Sequence, residues 1–403
     1  MADDAILVIN AGSSSLKFAL FDRSAEPARI AGGKVERIGR GARLRASRAG
    51  EAATEIPLAP DAAQVEALDA ALAWLGANAN GAKPGVVGHR VVHGGMDFIA
   101  PARIDDDVLE RLGRLDPLAP LHQPYNLAAI RRLRERHPGL AQVACFDTAF
   151  HAHWPDRARR FALPRALHDA GVRRYGFHGL SYEYLSGEVA RIAPAARRCV
   201  FAHLGSGASV CAVRDGISLD CSLGFTALDG LPMGTRCGPL DPGVPFHLLR
   251  TTAMDAAAIE QMLYHDSGLA GVSGIGADMR DLLASDAPAS REAVDLFVYH
   301  CARQVASMAV ALGGLDTLVF AGGIGENAAP VRAAICALLA LLGVRLDASA
   351  NARGDAEIGT ADSAVRVLVV PTDEEVVIAR ACNGIRASGR DNGSEPGTPE
   401  VHS

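Results

Sequence analysis

The sequence predicts an α/β chain of two similar halves that face each other across a cleft. Three observations carry this. A strand–turn–strand unit at residues 6–22 is echoed at residues 199–216, about 190 residues later. Both turns are made of small residues, which leaves their backbone N–H groups open. Around them, short apolar runs alternate with stretches of helical period.

In the first unit, Ile6, Leu7, Val8 and Ile9 suit a buried strand, and Leu16, Phe18 and Leu20 alternate with Lys17, Ala19 and Phe21 on the way back. The turn between them, Asn10 to Ser15, offers N–H groups and hydroxyls, with Lys17 just beyond. Such a concave array can cradle phosphate. The GxxxxGK(S/T) signature is absent and the chain returns as a strand, so this is not a P-loop. Taken alone it also reads as a plain hairpin, and the echo favours the phosphate reading. There, Val200, Phe201 and Ala202 meet the turn Gly205-Ser206-Gly207-Ala208-Ser209, and an alternating strand follows. A third strand, residues 318–321, runs into the glycine-rich stretch Gly322–Asn327 and then into a helix from about Ala328. Together these turns point to a nucleotide held between the halves.

With 403 residues, 49% hydrophobic and 21% charged, the chain can bury a sizeable core and has the length of two or three domains. A formal net charge of −6 gives no electrostatic case for a nucleic-acid partner. No apolar stretch is long enough to span a bilayer, and the opening MADDAILVIN is acidic where a signal peptide is basic, so no membrane association and a cytoplasmic location are expected. The eight cysteines form no CxxC pair and read as reduced core thiols.

Taken in order, residues 23–60 read as edge strands with arginines on a solvated face. Residues 62–75 are helical, with Val65, Leu68, Leu72 and Leu75 on one side. Residues 86–95 form a strand interrupted by cations. Arg90 among valines costs too much to bury alone, so it is either paired or awaiting an anion. A proline-bounded loop carries His122 into a helix at 127–136. The strand 141–144 delivers Asp147, either a helix N-cap or a chemical group at a strand end. The loop 173–179 is dense in cations and glycine, and a helix spans 181–191. The irregular loop 225–243 sets Arg236 among glycines and prolines, and long ordered loops are commonly functional. Residues 246–249, 256–265 and 291–312 are helical, 273–281 lead into a helix, 365–370 form a strand, and a helix runs on through Cys382. From about Ser388 the tail lacks apolar residues and should be disordered.

Nine segments, in order, resemble the acetate kinase family of the acetate and sugar kinase/Hsc70/actin superfamily: VINAGSSSLKF, GHRVVHGG, LAPLHQPYN, FDTAFH, YGFHGLS, HLGSG, LDGLPMGTRCG, FAGGIGEN and PTDEE. They cover about residues 6–382. The resemblance implies a two-domain actin-like (ribonuclease H-like) fold with duplicated mixed β-sheets flanked by helices. Its domains would be residues 1–148 and 149–375, with a terminal helix at about 376–387 packing back on the first. It implies a homodimer and direct in-line transfer from ATP to the carboxylate of acetate, giving acetyl phosphate and ADP. Asn10 and Glu374 are implied near Mg²⁺ (or Mn²⁺), and Lys17 near the nucleotide phosphates. Asp147, His178, Arg236 and His122 are implied in catalysis, and Arg90 as the carboxylate anchor. Val92, Leu121, Phe177 and Ala227 would line the acyl pocket. His203, Leu204, Gly205, Ser206 and Gly207, then Asp278, Met279 and Arg280, then Gly323, Ile324, Gly325, Glu326 and Asn327 would hold ATP.

Three positions depart from the family pattern: Ser206 replaces an asparagine, Asp373 an asparagine and Ala227 a proline. Ser206 offers fewer donors to phosphate, Asp373 adds negative charge beside the metal, and Ala227 leaves a little more acyl room. Acetate is already ionised at neutral pH, so no general base is needed. Asp147 is therefore expected to orient Arg236 or the metal, and an excess of fixed cations is expected to bring two anions together. The rival readings are a propionate or butyrate kinase of the same family, a sugar kinase, and a nucleotide-driven binding protein of the Hsc70/actin type. The last would need a peptide-binding domain after the final helix.

Overall fold

The computed structural model describes residues 5–120 and 122–388; Leu121 and the tail beyond 388, on which two expectations rest, lie outside the described residues. The first sheet holds β1 (Ala5–Ala11), β2 (Ser15–Phe21), β3 (Arg29–Glu36), β4 (Arg43–Arg48), β5 (Thr54–Pro57), β6 (Pro84–Val91), β7 (Ala102–Arg103) and β8 (Ala141–Phe146). Their order is β5-β4-β3-β2-β1-β6-β8-β7. The second holds β9 (Arg198–Leu204), β10 (Ala208–Arg214), β11 (Ile217–Cys221), β12 (Thr317–Ala321) and β13 (Arg366–Val369), in the order β11-β10-β9-β12-β13. Without β4, β5 and β7 the first sheet reads β3-β2-β1-β6-β8, which is the plan of the second. In each, two antiparallel pairings are followed by two parallel ones. The echo in the sequence is thus a duplicated mixed sheet.

The continuous apolar run of β1 follows from having helices on both faces. Successive side chains point to opposite faces. Leu7 and Ile9 pack with Leu68, Trp74 and Leu75 of the helix Gln64–Asn78. Ile6 and Val8 pack with Val377, Ile378 and Cys382 of the helix Glu374–Ser388. Each such side chain contributes about 1.5–3 kcal/mol on burial. The Gln64–Asn78 helix departs from expectation in its buried stripe, which runs through Ala67, Leu68, Ala71 and Leu75, while Val65 is exposed. Alanines let a helix sit close on a sheet. The stretch Gly322–Asn327 also differs, being a short helix in its own right before the one at Ala329–Leu338. In the second half, the helix Pro288–Leu312 crosses β9 and β10.

The Glu374–Ser388 helix lies tightly on β6. A Cβ on Gly88 would stand 2.3 Å from Ile378 Cγ2 and 2.8 Å from Cys382 Sγ. Overpacking of this kind costs about 1–3 kcal/mol. Gly88→Ala should therefore lower the urea midpoint of unfolding, and an unchanged midpoint would show that the helix is not seated there.

Candidate active site

Both hairpin turns open onto one cleft of about 620 Å³. Asn10 and Lys17 face each other across β1 and β2 at its edge, beside Ser13 and Ser14. The turn Gly205-Ser206-Gly207 closes the opposite side. Beside it, β12 passes into the helix Gly322–Asn327. Gly322 has φ +75°, and a Cβ there would lie 2.7 Å from the Leu204 carbonyl oxygen, so glycine is required for this helix to start under β9. The Glu326 carboxylate accepts from the Gly322 N–H at 3.0 Å and closes that turn.

Parallel strands β6 and β8 end side by side and deliver Arg90 and Asp147. Arg90 Nε donates to Asp147 Oδ1 at 2.9 Å, and its Nη2 donates to Oδ2 at 2.5 Å. Its Nη1 stands 3.4 Å from Glu374 Oε2, at the start of the terminal helix. Arg90 is thus paired, at two points with Asp147 and at one with Glu374. Burial pushes the Asp147 carboxyl upward and Arg90 pulls it back. At Glu374 burial also raises the carboxyl, but Arg90, His203 and Lys17 outweigh it and hold the group low. Asp147 grips Arg90 and not Arg236, the first of the two partners expected for it. The helix Gly179–Ile192 begins against this pair, where the Gly179 N–H donates to the Asp147 carbonyl at 2.9 Å.

His178 precedes that helix with φ +59°, a left-handed conformation that is strained for a non-glycine residue. A hydroxyl pair stands behind its ring: Ser209 Oγ bonds both the Tyr182 hydroxyl and His178 Nδ1, the latter at 2.8 Å. The other ring nitrogen, Nε2, faces Gly207 in the cleft. Burial first, then His203, Arg90 and Arg236, hold this imidazole well below its ordinary value, so it is neutral. His203 stacks on it at 4.6 Å between ring centres, and its Nδ1 bonds Ser181 Oγ, which bonds Thr372.

His122 and Arg236 meet from opposite halves of the chain. Arg236 Nη2 donates to His122 Nε2 at 3.3 Å, and Nη1 to the Ala227 carbonyl at 3.0 Å. Burial and the two arginines push His122 down to about 3, so its ring is a neutral acceptor. Arg236 has no carboxylate partner among the described residues, and burial lowers its guanidinium. Its loop is held by bonds from Leu269 N to the Met233 carbonyl and from Thr235 Oγ1 to the Tyr264 carbonyl. Val92 and Phe177 form a buried apolar wall beside half-buried Ala227.

Residues 5–380 match the model of the acetokinase family. The chain belongs to that family. It is 48% identical to the acetate kinase of Rhodopseudomonas palustris strain TIE-1, with 96% of this chain and 100% of that protein covered. Among solved structures it superposes on a propionate kinase from Francisella tularensis with a TM-score of 0.88, at 36% identity over 94% of this chain and 98% of that one. The acetate kinase of Porphyromonas gingivalis gives 0.82 and 36%, over 93% and 98%. The fold is therefore the actin-like α/β fold of this family.

Within that frame, the structure gathers most expected residues. Asn10, Lys17, Arg90, Val92, His122, Asp147, Phe177, His178, His203, Gly205, Ser206, Gly207, Ala227, Arg236, Gly323, Glu326 and Glu374 line the cleft. Leu204 and Met279 are core side chains. Asp278 and Arg280 pair with each other at 2.5 Å outside the cleft lining, and Asp278 caps its own helix through Arg280 N. Ile324, Gly325 and Asn327 also lie off the lining, the last bonded to the Gly323 carbonyl. The expected cation excess is not found. Lys17, Arg90 and Arg236 face Asp147, Glu326, Glu374 and Glu375, and the histidines are neutral. Asp373 spends its charge elsewhere, accepting from Val376 N at 3.1 Å and standing 3.4 Å from Arg29.

Sequence reasoning missed Ser181, Tyr182 and Ser209, the groups behind the histidines. It also missed Gln123 and Asn126, whose buried amides bond His93 and Val92 backbone and hold His122 in place. Ser181, Gln123 and Asn126 do lie in quoted segments, close in sequence to His178 and His122, whereas Ser209 stands two residues past the HLGSG segment.

His89, His93 and His151 are buried, and burial lowers each to about 4. Between their unfolded value of 6.5 and about 4, the unfolded chain binds more protons than the folded one. Stability therefore falls with falling pH there, by about 1.4 kcal/mol per pH unit for each histidine. Thermal melts should show a falling Tm from pH 6.5 downward; a Tm flat to pH 5 would contradict neutral burial.

Proposed function

We propose that the protein transfers the γ-phosphoryl group of ATP to the carboxylate of acetate, reversibly, yielding acetyl phosphate and ADP. The observation that carries this is the engagement of Asp147. A kinase for a hydroxyl acceptor needs a carboxylate free to take a proton, and here the candidate is clamped by Arg90 at two points. An acceptor that is already ionised suits such a site.

In this reading Arg90, rigidly held, orients the acetate carboxylate through its remaining donors. Val92, Phe177 and Ala227 enclose the methyl group. Arg236 and the Nε2–H of His178 meet the equatorial oxygens of the phosphoryl group in flight. His122 positions Arg236 by accepting its Nη2 proton. Lys17 and the two small-residue turns receive the polyphosphate, with the N–H groups at 205–207 and 323 opposite the serines at 13–15. Asp278 to Arg280 and the other positions off the cleft lining meet the nucleotide at its outer end.

A divalent cation fits the donor set. Asn10 and Glu374 share one side of the cleft, Glu374 is held ionised, and Mg²⁺ is commonly bound by one or two protein oxygens plus phosphates and water. The carboxylates that offset Lys17, Arg90 and Arg236 leave positive charge to be brought in with the nucleotide. Bound there, the ion would neutralise charge on the leaving phosphate.

The chain further reads as two lobes, residues 1–148 and 149–375, closing over the substrates, and as a cytoplasmic homodimer. Supporting self-association, the helix Gly243–Thr251 buries no residue, and its Phe246 and Leu249 are exposed by 59 and 44%. The runner-up substrate is propionate, favoured by the Francisella likeness and by Ala227. One methylene in an apolar pocket is worth about 1–3 kcal/mol.

Trapping acyl phosphate with hydroxylamine across acetate, propionate, butyrate and glucose should give acetate first and propionate weaker; equal or better propionate turnover would reassign the substrate. Arg236→Ala should cut kcat by about 10²–10³-fold with a smaller change in KM. A large KM rise at unchanged kcat would remove Arg236 from the transition state.

A further inference from the structure

A second groove of about 390 Å³ adjoins the cleft and shares Lys17 and Glu375 with it. Its floor is the outer part of the first sheet, with Gly32 and Gly33 of β3 in its lining. Register places three cations in a row across it, Lys17 opposing Lys34 and Lys34 opposing Arg45, and the row ends on Glu55 opposite Arg45. Directly opposed like charges destabilise an antiparallel pair. Local compensation is partial. Lys34 reaches Glu36 at 2.7 Å, whereas Lys17 and Arg45 form no ion pair within 4 Å among the described residues. Arg29 and Arg48 extend the basic rim, each tied to acids: Arg29 to Asp373 and Glu375, Arg48 to Glu51.

We propose that this groove binds a linear condensed-phosphate anion beside the catalytic cleft, with Lys34 and Arg45 as its own cations and Lys17 at the shared border. The row of cations follows neighbouring strands about 4.8 Å apart, which suits an extended chain of charges better than a compact one. The lining contains no aromatic ring and no long apolar side chain to receive a base. Guanidinium and ammonium groups are the phosphate binders of proteins. An occupant would also relieve the repulsion between Lys17 and Lys34, which stand opposite each other.

Calorimetric titration of the whole chain with sodium tripolyphosphate in metal-free buffer tests this against Lys34→Ala/Arg45→Ala and against Arg45→Gln alone. Neither position touches the cleft, so turnover of the variants should match the native protein and report their folding. With the cleft saturated by ADP, the native protein should still bind an equivalent of tripolyphosphate that the double variant holds at least about tenfold more weakly, with Arg45→Gln between. Tripolyphosphate should raise the Tm of the native chain more than that of either variant. Native-like affinity in the double variant would overturn the site. Equal binding of citrate in the groove would overturn the condensed-phosphate assignment and leave only general anion exchange.

Discussion

Arg90 and Asp147 form the contact on which the cleft depends. They terminate neighbouring parallel strands, so two points of bonding between their planar groups fix the ends of β6 and β8 relative to one another. Glu374 brings the terminal helix to the same guanidinium, and the Asp147 carbonyl receives the first N–H of the helix that begins at Gly179. Four segments distant in sequence therefore meet at one buried charge pair. Removing either partner of such a pair leaves an uncompensated charge, at a cost of about 3–5 kcal/mol. The pair is thus a structural joint as well as a chemical surface, and it explains why a carboxylate so near the centre is not available as a base.

Around that joint the cleft is chemically quiet. Its three histidines are neutral, through burial and through the neighbouring arginines, and each has one ring nitrogen committed to a protein partner. Neutral imidazoles supply direction without charge. The guanidinium of Arg236 differs, a cation with no carboxylate partner among the described residues, bonded to a histidine from the other half of the chain. With Lys17, which also forms no ion pair there, it supplies the attraction for an incoming anion.

Much of this was legible in the residues. The two hairpins were visible because an apolar run followed by small residues has few other conformations, and the nine motifs located nearly every cleft residue. What was not legible has physical causes. The partner of Arg90 could not be chosen from sequence, since strand order decides which carboxylate stands beside it. The charge balance of the cleft was misjudged because Glu326 and Glu375 read as loop or helix-start acids until the chain folds. The supporting hydroxyls of Ser181 and Ser209 look like ordinary helix and strand residues, and only burial makes them specific. The alanine stripe of the Gln64–Asn78 helix escaped because periodicity weighs Val65 above Ala67, whereas packing against a sheet rewards the smaller side chain.

The last helix of the chain covers one face of the first sheet, filling the space over Ile6, Val8 and Gly88. During synthesis the N-terminal strands leave the ribosome early, yet that face stays bare until residues near 382 emerge. The second sheet, complete once β13 is out, needs no later segment for its core. Vectorial folding thus runs against chain order, and a translation stall shortly before the last helix would strand an exposed apolar surface next to a finished second half.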